Sequence, residues 1–586
     1  MSTNRRLSFH KGDDSIQLED TYVRQRVLSD GHLSSESLGP KRKCGGLVEF
    51  ITSRIFVACV ALLAVIITLI CVSLLVAYEM ENEVVHTVDF LEKDLPEQQK
   101  VWFDMGIKEL KAALSVQQNS RRARNVILFV GDGMGPNTVT ASRIYKGGEG
   151  HHLSWELFPH MGLLKTYCAD RMVPDSAATA TALFCGVKGN YHTSGLDSSV
   201  PEKDFLGSLN ESSHVSSILK WAQDDGMRTG FVTTTRVTHA TPSALYAHIP
   251  DRKWECENNI PEEAKQQNCK DIGRVLIENE PGRSINVIMG GGRQCLVSNV
   301  TGSDADPIDT WSCYSTDGRN LIDDWEKSKQ AQNVKYAVAL NNNDLSRISG
   351  EHDYVLGIFA NGHLKYDHER DTGPSGMPSL QNMTLKAIEV LKRDDRGFLL
   401  VVEGGLIDQA HHRGTARKAL SETIAMDEAV KATINAMQGH LDETLIIVTA
   451  DHSHTLSING YPQRGSNILG FASKSKTEQT PYTTLTYGTS YQGFQVDMAD
   501  PNNPRRRDPS LEDTTSFEYT QQAAINTDEN THGGADVTVH AMGPMAHLFH
   551  RIHEQSYVAH VISYALRIGR FSDSSVVESV AEIVKF

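Results

Sequence analysis

Six apolar runs recur along the chain, and they constrain its fold more than any other feature. They are NVILFVG (Asn125–Gly131), TGFVTTT (229–235), INVIMGG (285–291), YVLGIFA (354–360), FLLVVEG (Phe398–Gly404) and TLIIVTADH (444–452). Runs that are apolar on both faces are typical of buried parallel strands, and stretches with helical character at 213–225 and 415–437 separate them. The pattern predicts an α/β fold with a large, mostly parallel central sheet flanked by helices.

Acidic residues and a histidine stand where three of these runs end. Asp132 follows the first run, Glu403 closes the FLLVVEG run with Asp408 shortly after it, and Asp451 and His452 close the last. The carboxyl ends of parallel strands meet at one edge of a sheet, where α/β folds bind their ligands. One aspartate after a strand is usually a turn residue, but this number at one edge favours a metal site.

The stretch VPDSAATATALFCGVKGN at 173–190 places Asp175 before Ser176, with no neighbouring histidine to serve as a base and no G-x-S-x-G motif. Pro-Asp-Ser is also an ordinary helix N-cap. If Ser176 is a nucleophile, a metal ion could activate it by lowering the pKa of a coordinated hydroxyl. Candidate ligands lie in 403–412, 449–454 and 531–534; histidine and carboxylate without cysteine suit catalytic zinc.

Residues 55–77 form a stretch of 23 residues without a charge. A helix of this length spans about 35 Å, enough to cross a bilayer, and the stretch is too long and too far into the chain for a signal peptide. Basic residues precede it and acidic ones follow: Lys41, Arg42, Lys43 and Arg54, then Glu79, Glu81 and Glu83. This asymmetry predicts a single-pass type II membrane protein with a cytosolic N-terminus.

The chain divides by composition into a series of segments. We expect a disordered cytosolic tail (1–54), a transmembrane helix (55–77), a stalk with an N-terminal helix (78–120), a catalytic domain (121–570) with a surface insertion at 462–513, and a C-terminal tail (571–586). Within the catalytic domain, 537–570 is predicted to be a strand followed by a histidine-rich helix. Its histidines, more typical of surface or packing positions than of metal ligands, are His547, His550, His553 and His560.

Net charge, cysteines and sequons limit the class of protein. A net charge of -16 argues against a nucleic-acid partner. Cys256 and Cys269 are 13 residues apart and Cys295 and Cys313 are 18 apart, so each pair could close a local disulfide, whereas Cys168 and Cys185 read as buried thiols. The sequons that suit a lumenal or extracellular domain are at Asn210, Asn299 and Asn382.

Several motifs together carry a family resemblance. GDGMG (131–135), PDSAATATA (174–182), TTTRVTHATPSALYAH (233–248), VEGGLIDQAHH (402–412), TADHSH (449–454) and THGG (531–534) resemble the successive motifs of the alkaline phosphatases, collinear over roughly 120–570. GDGMG is not a dinucleotide fingerprint, because its third glycine comes one place early. With its apolar anchor and no apolar C-terminal tail, the chain resembles the fungal vacuolar membrane enzymes more than the lipid-anchored animal ones.

The resemblance implies a phosphomonoesterase, active at alkaline pH, with two zinc ions and one magnesium ion. It implies that Ser176 is the nucleophile that forms a phosphoserine and that Arg252 binds the phosphate oxygens. The implied ligands are Asp408, His412 and His532 for one zinc, Asp132, Asp451 and His452 for the other, and Asp132, Thr241 and Glu403 for magnesium. It also implies small phosphate monoesters, with phosphoproteins as a further class, as substrates, a homodimer, and a lumenal catalytic domain at the vacuole membrane or, alternatively, the cell surface.

Two positions depart from parts of the family. His239 stands where bacterial members carry aspartate, and animal enzymes also carry histidine at this position. Gln409 replaces a lysine or histidine of other branches. A neutral amide at Gln409 cannot hold phosphate by charge, which predicts looser phosphate binding. Alternatives are a related metal-dependent diesterase or sulfatase, which usually offers threonine or a modified cysteine as nucleophile, and a non-catalytic surface glycoprotein, which would have lost its ligands.

Overall fold

The computed structural model describes residues 54–92, 95–393, 395–490, 492–494, 496–497 and 505–582. The predicted cytosolic tail lies outside the described residues except for Arg54. The chain separates into two compact units, Met1–Leu110 and Lys111–Phe586. The first contains helix α1 (Arg54–Glu92) and most of α2 (Glu97–Leu114). Within α1, Phe56–Leu75 has a mean hydropathy of 3.0 and is long and apolar enough to cross a membrane, so it fits a membrane anchor.

The second unit is built on a central sheet with the order β19-β2-β18-β8-β1-β7-β3-β4-β6-β5. Its strands are β1 (Asn125–Gly131), β2 (His160–Lys165), β3 (Arg228–Arg236), β4 (Val287–Gly291), β5 (Tyr336–Ala339), β6 (Tyr354–Ile358), β7 (Phe398–Gly404), β8 (Thr444–Ala450), β18 (Val537–Met542) and β19 (Arg551–Glu554). Smaller sheets are formed by β9 (Ser453–His454), β10 (Leu456–Ile458), β11 (Phe471–Lys474), β12 (Pro481–Thr483), β13 (Leu485–Thr489), β14 (Val496–Asp497), β15 (Arg505–Arg506), β16 (Ala523–Ile525) and β17 (His532–Gly533).

The predicted α/β fold is confirmed, and the sheet is mixed rather than purely parallel. Every pairing along β8-β1-β7-β3-β4-β6-β5 is parallel, whereas β18 runs antiparallel to both β2 and β8. Each of the six apolar runs overlaps one strand of the central sheet, and β1, β7 and β8 are buried at every position. Strands β2 and β19 were not predicted, because polar residues interrupt their apolar pattern, and β5 was not predicted because its apolar stretch is only four residues long.

Helices connect the strands and flank the sheet. They are α3 (Pro136–Gly147), α4 (Ser176–Cys185), α5 (Phe205–Ser208), α6 (Ile218–Asp224), α7 (Ala240–Ser243), α8 (Glu262–Gln266), α9 (Ile272–Glu278), α10 (Arg293–Leu296), α11 (Leu321–Ala331), α12 (Asn342–Arg347), α13 (Leu380–Leu391), α14 (Leu406–His412), α15 (Ala416–Ala436), α16 (Tyr557–Leu566) and α17 (Ser574–Glu582). The predicted helix at 213–225 begins later, at Ile218, because the Ser217 hydroxyl caps it by accepting from Lys220 N.

Two regional predictions need refinement. The insertion at 462–513 carries the short strands β11 to β15 and, among its described residues, no α-helix. The predicted histidine-rich helix is wrong in part: only His560 lies on α16. His547 lies in a 3-10 turn, His553 on β19, and His550 between them. The His550 ring lies 2.8 Å from the ring nitrogen of His160, and His560 bonds to the Gly186 carbonyl, so these side chains pack as expected.

The predicted local disulfides are wrong. Cys256 is bonded to Cys313, 57 residues away, with their Cα atoms 5.8 Å apart. Cys269 and Cys295 are free thiols, as are the buried Cys168 and Cys185. Tertiary contacts bring the two partner loops together: the backbone N–H of Thr316 donates to the Glu257 carboxylate at 2.6 Å, and Asn258 donates to the Tyr314 carbonyl at 2.5 Å. Sequence spacing alone carries none of this information.

Candidate active site

The residues expected at the sheet edge lie together because of the strand register. In β1, Gly131 pairs with Gly404 of β7 and with Ala450 of β8, so Asp132, Glu403 and Asp451 reach the same carboxyl end. Asp132 and Asp451 are fully buried, and Glu403 nearly so. Gly133 makes the turn possible: its φ is +70°, its N–H donates to the Asp451 carboxylate at 2.9 Å, and a Cβ there would lie 2.6 Å from the His454 ring.

One group of side chains combines helix α14 with the THGG motif. Asp408 and His412, one turn apart on α14, face each other, with His412 Nε2 3.3 Å from Asp408 Oδ2. His532 on β17 brings its Nε2 to 3.1 Å from His412 Nε2 and 3.5 Å from Asp408 Oδ1. The other ring nitrogens bond to backbone: His412 Nδ1 to Asn530 O, and His532 Nδ1 to Pro174 O, both at 2.8 Å. These bonds fix the rings so that three donor atoms converge.

A second group surrounds Ser176. His452 Nε2 lies 3.2 Å from the Ser176 hydroxyl, 3.4 Å from Asp132 Oδ1 and 3.2 Å from Asp451 Oδ2. Ser176 opens helix α4, is only 1% exposed, and is preceded by Asp175, whose carboxylate accepts from the N–H groups of Ala177 and Ala178. The His452 nitrogen faces two carboxylates as well as the hydroxyl, which is the arrangement of a metal ligand rather than of a lone general base.

A third group lies on the β7 side of Asp132. The Thr241 hydroxyl lies 3.4 Å from Asp132 Oδ2, and donor atoms of Asp132, His239 and Glu403 all lie within 4.8 Å of one another. Glu403 Oε2 accepts from the Thr233 hydroxyl at 2.5 Å. Asp132 is thus shared between the second and third groups.

The surroundings of most carboxylates in this site oppose their ionisation. Burial, and then the charges of Asp408, Asp451 and Glu403, raise the pKa of Asp132 well above its usual value. Burial also raises the pKa of Glu403 to about 7 and that of Asp451 to about 6. Burial opposes ionisation of Asp408 too, but the surrounding histidines hold its pKa well below its usual value. Packing so many acids together without water is costly unless cations neutralise them.

Two buried oxygens point to where such cations would bind. Asp132 Oδ1 and Glu403 Oε1 are buried and accept no hydrogen bond among the described residues. Histidine and carboxylate donors in the first two groups suit zinc, and the oxygen-rich third group suits magnesium. The residues present therefore fit divalent metal ions.

Arg252 lies beside this site and faces the cavity above it. Its Nη1 donates to Asp175 Oδ2 at 3.0 Å and its Nη2 to His239 Nε2 at 3.2 Å. Burial, and then the charges of Arg252 and Arg236, depress the pKa of His239, so His239 is neutral and can accept this bond. The guanidinium is held from two sides, with donors left for an anion.

Sequence reasoning missed the residues that support the predicted ligands. His454 Nε2 lies 2.5 Å from Asp408 Oδ1, and its Nδ1 lies 3.2 Å from Asn530 Oδ1. Thr179 donates to Asp451 Oδ2 at 3.1 Å. His454 is the second histidine of TADHSH, and its place two residues after His452 in a short strand was a usable signal. The roles of Asn530 and Thr179 had no signal in the sequence.

A cavity of about 860 Å³ opens above the three groups. Arg252, His412 and His532 line it, together with Gln409 and Arg413 from α14 and its C-terminus. The Gln409 amide lies between Asp408 and Arg413, donating to the former at 3.3 Å and accepting from the latter at 3.4 Å. The neutral Gln409 therefore has a positive charge beside it, which the sequence analysis did not anticipate.

Comparison with known protein families gives a match over most of the chain. A family model described as alkaline phosphatase matches residues 123–568. The tissue-nonspecific alkaline phosphatase of Homo sapiens is 42% identical over 480 residues, covering 80% of this chain and 89% of the relative. Alkaline phosphatase 4 of Drosophila melanogaster is 40% identical over 506 residues, covering 82% and 83%. A membrane-bound alkaline phosphatase of Bombyx mori is 40% identical over 462 residues, covering 77% and 82%.

Solved structures share the fold at lower identity. The alkaline phosphatase of the Antarctic bacterium TAB5 has a TM-score of 0.52 at 20% identity, covering 78% of this chain and all of that one. A TAB5 variant solved with Mg in its M3 site gives the same TM-score. The Thermus thermophilus alkaline phosphatase has a TM-score of 0.53 at 21% identity, covering 79% and 97%. These matches support the architecture described above.

Proposed function

Because the chain belongs to the alkaline phosphatase family and is a metal-dependent phosphomonoesterase, we propose that Ser176 is its nucleophile. The observation that carries this assignment is the 3.2 Å approach of the Ser176 hydroxyl to His452 Nε2, at the point where His452 also meets Asp132 and Asp451. Ser176 also opens helix α4, whose N-terminal dipole favours an anion there.

In the proposed reaction, Arg252 binds two oxygens of the phosphoryl group, since its planar guanidinium pairs bidentately with phosphate. Asp175 and His239 hold that guanidinium in place. The Ser176 Oγ–P bond forms as the bond from phosphorus to the leaving oxygen breaks, and the serine proton passes to the leaving group. Water then cleaves the phosphoserine, releasing inorganic phosphate and restoring the hydroxyl.

We assign the ligands by group. Asp408, His412 and His532 would hold one zinc ion, and Asp132, Asp451 and His452 the other. Asp132, Thr241 and Glu403 would hold magnesium. When bound, these ions neutralise the buried carboxylates, acidify the serine hydroxyl and stabilise the charge that develops on the entering and leaving oxygens. The buried oxygens of Asp132 and Glu403 that accept no hydrogen bond among the described residues support this assignment.

A covalent-trapping experiment tests the proposal. The full-length enzyme, loaded with zinc and magnesium, should turn over p-nitrophenyl phosphate and yield a peptide phosphorylated at Ser176 after acid quenching. A Ser176→Ala variant should lose turnover and the phosphopeptide while keeping its metal content, and the exposed Ser199→Ala should match the wild type. Turnover by Ser176→Ala above a few percent of wild type, as an order of magnitude, would exclude the covalent route.

We also propose a type II orientation, with 78–120 as a stalk, 121–570 as a lumenal catalytic domain and 571–586 as a tail, at the vacuole membrane. The charge asymmetry around 55–77 supports the orientation, and the exposure of Asn210, Asn299 and Asn382 is compatible with glycosylation. We propose a homodimer as well, on the basis of the family resemblance. Protection of 80–586 from protease in sealed vesicles, with sensitivity of the domain to endoglycosidase, tests the topology. Digestion of the catalytic domain in intact vesicles would show that the protein has the opposite orientation.

A further inference from the structure

Five arginine and lysine side chains line the cavity together with six carboxylates, and the five differ in how they are paired. Three cations at its wall are paired with carboxylates: Arg236 with Glu255 at 2.8 Å, Arg252 with Asp175 at 3.0 Å, and Lys418 with Glu518 at 2.8 Å. Arg413 and Lys253 also line the cavity and, among the described residues, neither has a carboxylate oxygen within 4.0 Å. Unpaired cations beside a site that binds anions are candidates for substrate recognition.

Of these two side chains, that of Arg413 is held in a defined orientation by hydrogen bonds. Its Nη1 donates to three neutral oxygens: the Tyr366 hydroxyl at 3.2 Å, the Gln409 carbonyl at 3.1 Å and the Gln409 amide oxygen at 3.4 Å. The ammonium of Lys253 makes no hydrogen bond among the described residues. The Arg413 guanidinium is therefore pre-positioned while its charge remains available, which reduces the ordering cost of binding an anion.

Arg413 also lines the open cavity into which a leaving group would depart, if the proposed function holds. Ser176 lies on the floor of the site, only 1% exposed. In-line displacement places the leaving oxygen opposite the attacking one, and hence toward the open cavity. His412 lines this cavity, and Arg413 directly follows it at the end of α14.

We propose that Arg413 is a specificity-determining residue that binds a negatively charged group carried by the leaving group. Substrates with a second phosphoryl group, such as inorganic pyrophosphate and nucleoside di- and triphosphates, would then be favoured over esters whose leaving group carries no additional charged group. With pyrophosphate, the Ser176 Oγ–P bond forms, the bridging P–O bond breaks, and the departing phosphate takes the serine proton. Water then releases the second phosphate, so that one pyrophosphate and one water yield two phosphate ions.

The test compares two substrates in one enzyme. The kcat/KM for inorganic pyrophosphate and for p-nitrophenyl phosphate is measured with the full-length, metal-loaded protein and with Arg413→Gln, Arg413→Lys, Lys253→Gln and Arg347→Gln. Arg347 is an exposed arginine on α12 that does not line the cavity. The ratio of pyrophosphate to p-nitrophenyl phosphate should fall about tenfold in Arg413→Gln, since a charge-assisted contact is lost, and recover in part in Arg413→Lys.

The controls separate the possible failures. An unchanged ratio in Arg413→Gln, or an equal fall in Lys253→Gln, overturns the assignment of Arg413. Because the Gln409 carbonyl at the end of α14 loses a donor in Arg413→Gln, thermal melts accompany the kinetics, and a ratio that falls while the melting temperature holds supports recognition. If the wild type hydrolyses neither substrate, or Ser176→Ala retains turnover, the proposed function fails instead.

Discussion

The carboxylate of Asp175 accepts a hydrogen bond from Arg252 Nη1 at 3.0 Å while it also caps the helix that begins at Ser176. One buried side chain thus sets the relative positions of the proposed nucleophile and the proposed phosphate-binding arginine. Burial opposes the ionisation of Asp175, but Arg252 and His192, together with the backbone N–H donors of His192 and Ala177, hold the pKa of the carboxyl below its usual value. Two functions therefore depend on this carboxylate.

Replacing Asp175 separates those functions. Asp175→Ala should destabilise the fold by about 1 kcal/mol through the lost cap and raise the inhibition constant of inorganic phosphate about tenfold. Asp175→Asn keeps an oxygen for the cap but cannot accept from Arg252 in the same way, so it should weaken phosphate inhibition with little change in melting temperature. Equal phosphate inhibition in all three proteins would show that Arg252 needs no such support.

His454 should control metal affinity without being a ligand in our assignment. Its contact with Asp408 Oδ1 orients a proposed zinc ligand, and removing such supporting groups typically weakens metal binding about 10- to 100-fold. Zinc retention during competition with a chelator should fall by this factor in His454→Ala. The surface variant His440→Ala should retain zinc like the wild type. Equal retention by His454→Ala would contradict a supporting role.

The Cys256–Cys313 bond and the local pairings lead to different expectations for how cysteine replacements change the free energy of unfolding. Cross-linking across 57 residues stabilises a protein by about 4 kcal/mol in the loop-entropy model. Cys313→Ser should therefore lower the unfolding free energy by several kilocalories per mole, whereas Cys269→Ser should leave it nearly unchanged. Peptide mapping without reduction provides a direct check. A peptide joining Cys295 to Cys313 would refute the pairing.

Stability should fall in acid partly through His540. Burial on strand β18 lowers the pKa of His540 to about 4, against an ordinary value near 6.5. The unfolded chain then binds the proton first, so this contribution is fully present above pH 6.5 and is lost as pH falls toward 4, by about 3 kcal/mol. Chemical denaturation of His540→Leu over this range should show a shallower pH slope. If the unfolding free energies of the two proteins change with pH at the same slope, His540 is not the group responsible. Release of metals in acid affects both proteins alike and does not change this comparison.

The local sequence determined much of the architecture and the list of reactive residues. Runs apolar on both faces predicted β1, β7 and β8 because burial on both sides of a sheet requires them. The edge rule for parallel strands then placed Asp132, Glu403 and Asp451 together before any coordinates. The i, i+4 spacing of Asp408 and His412 on a helix likewise needed no tertiary information.

Only the tertiary structure decided which distant groups meet. The Cys256–Cys313 bond, the support of Asp408 by His454, and the contact of Arg413 with Tyr366 each depend on loops whose conformations follow from packing across the chain. Hydrophobic periodicity reports whether a segment is buried, since it reflects burial along a single element. It is silent about which loops come together, because those contacts are made between elements far apart in sequence.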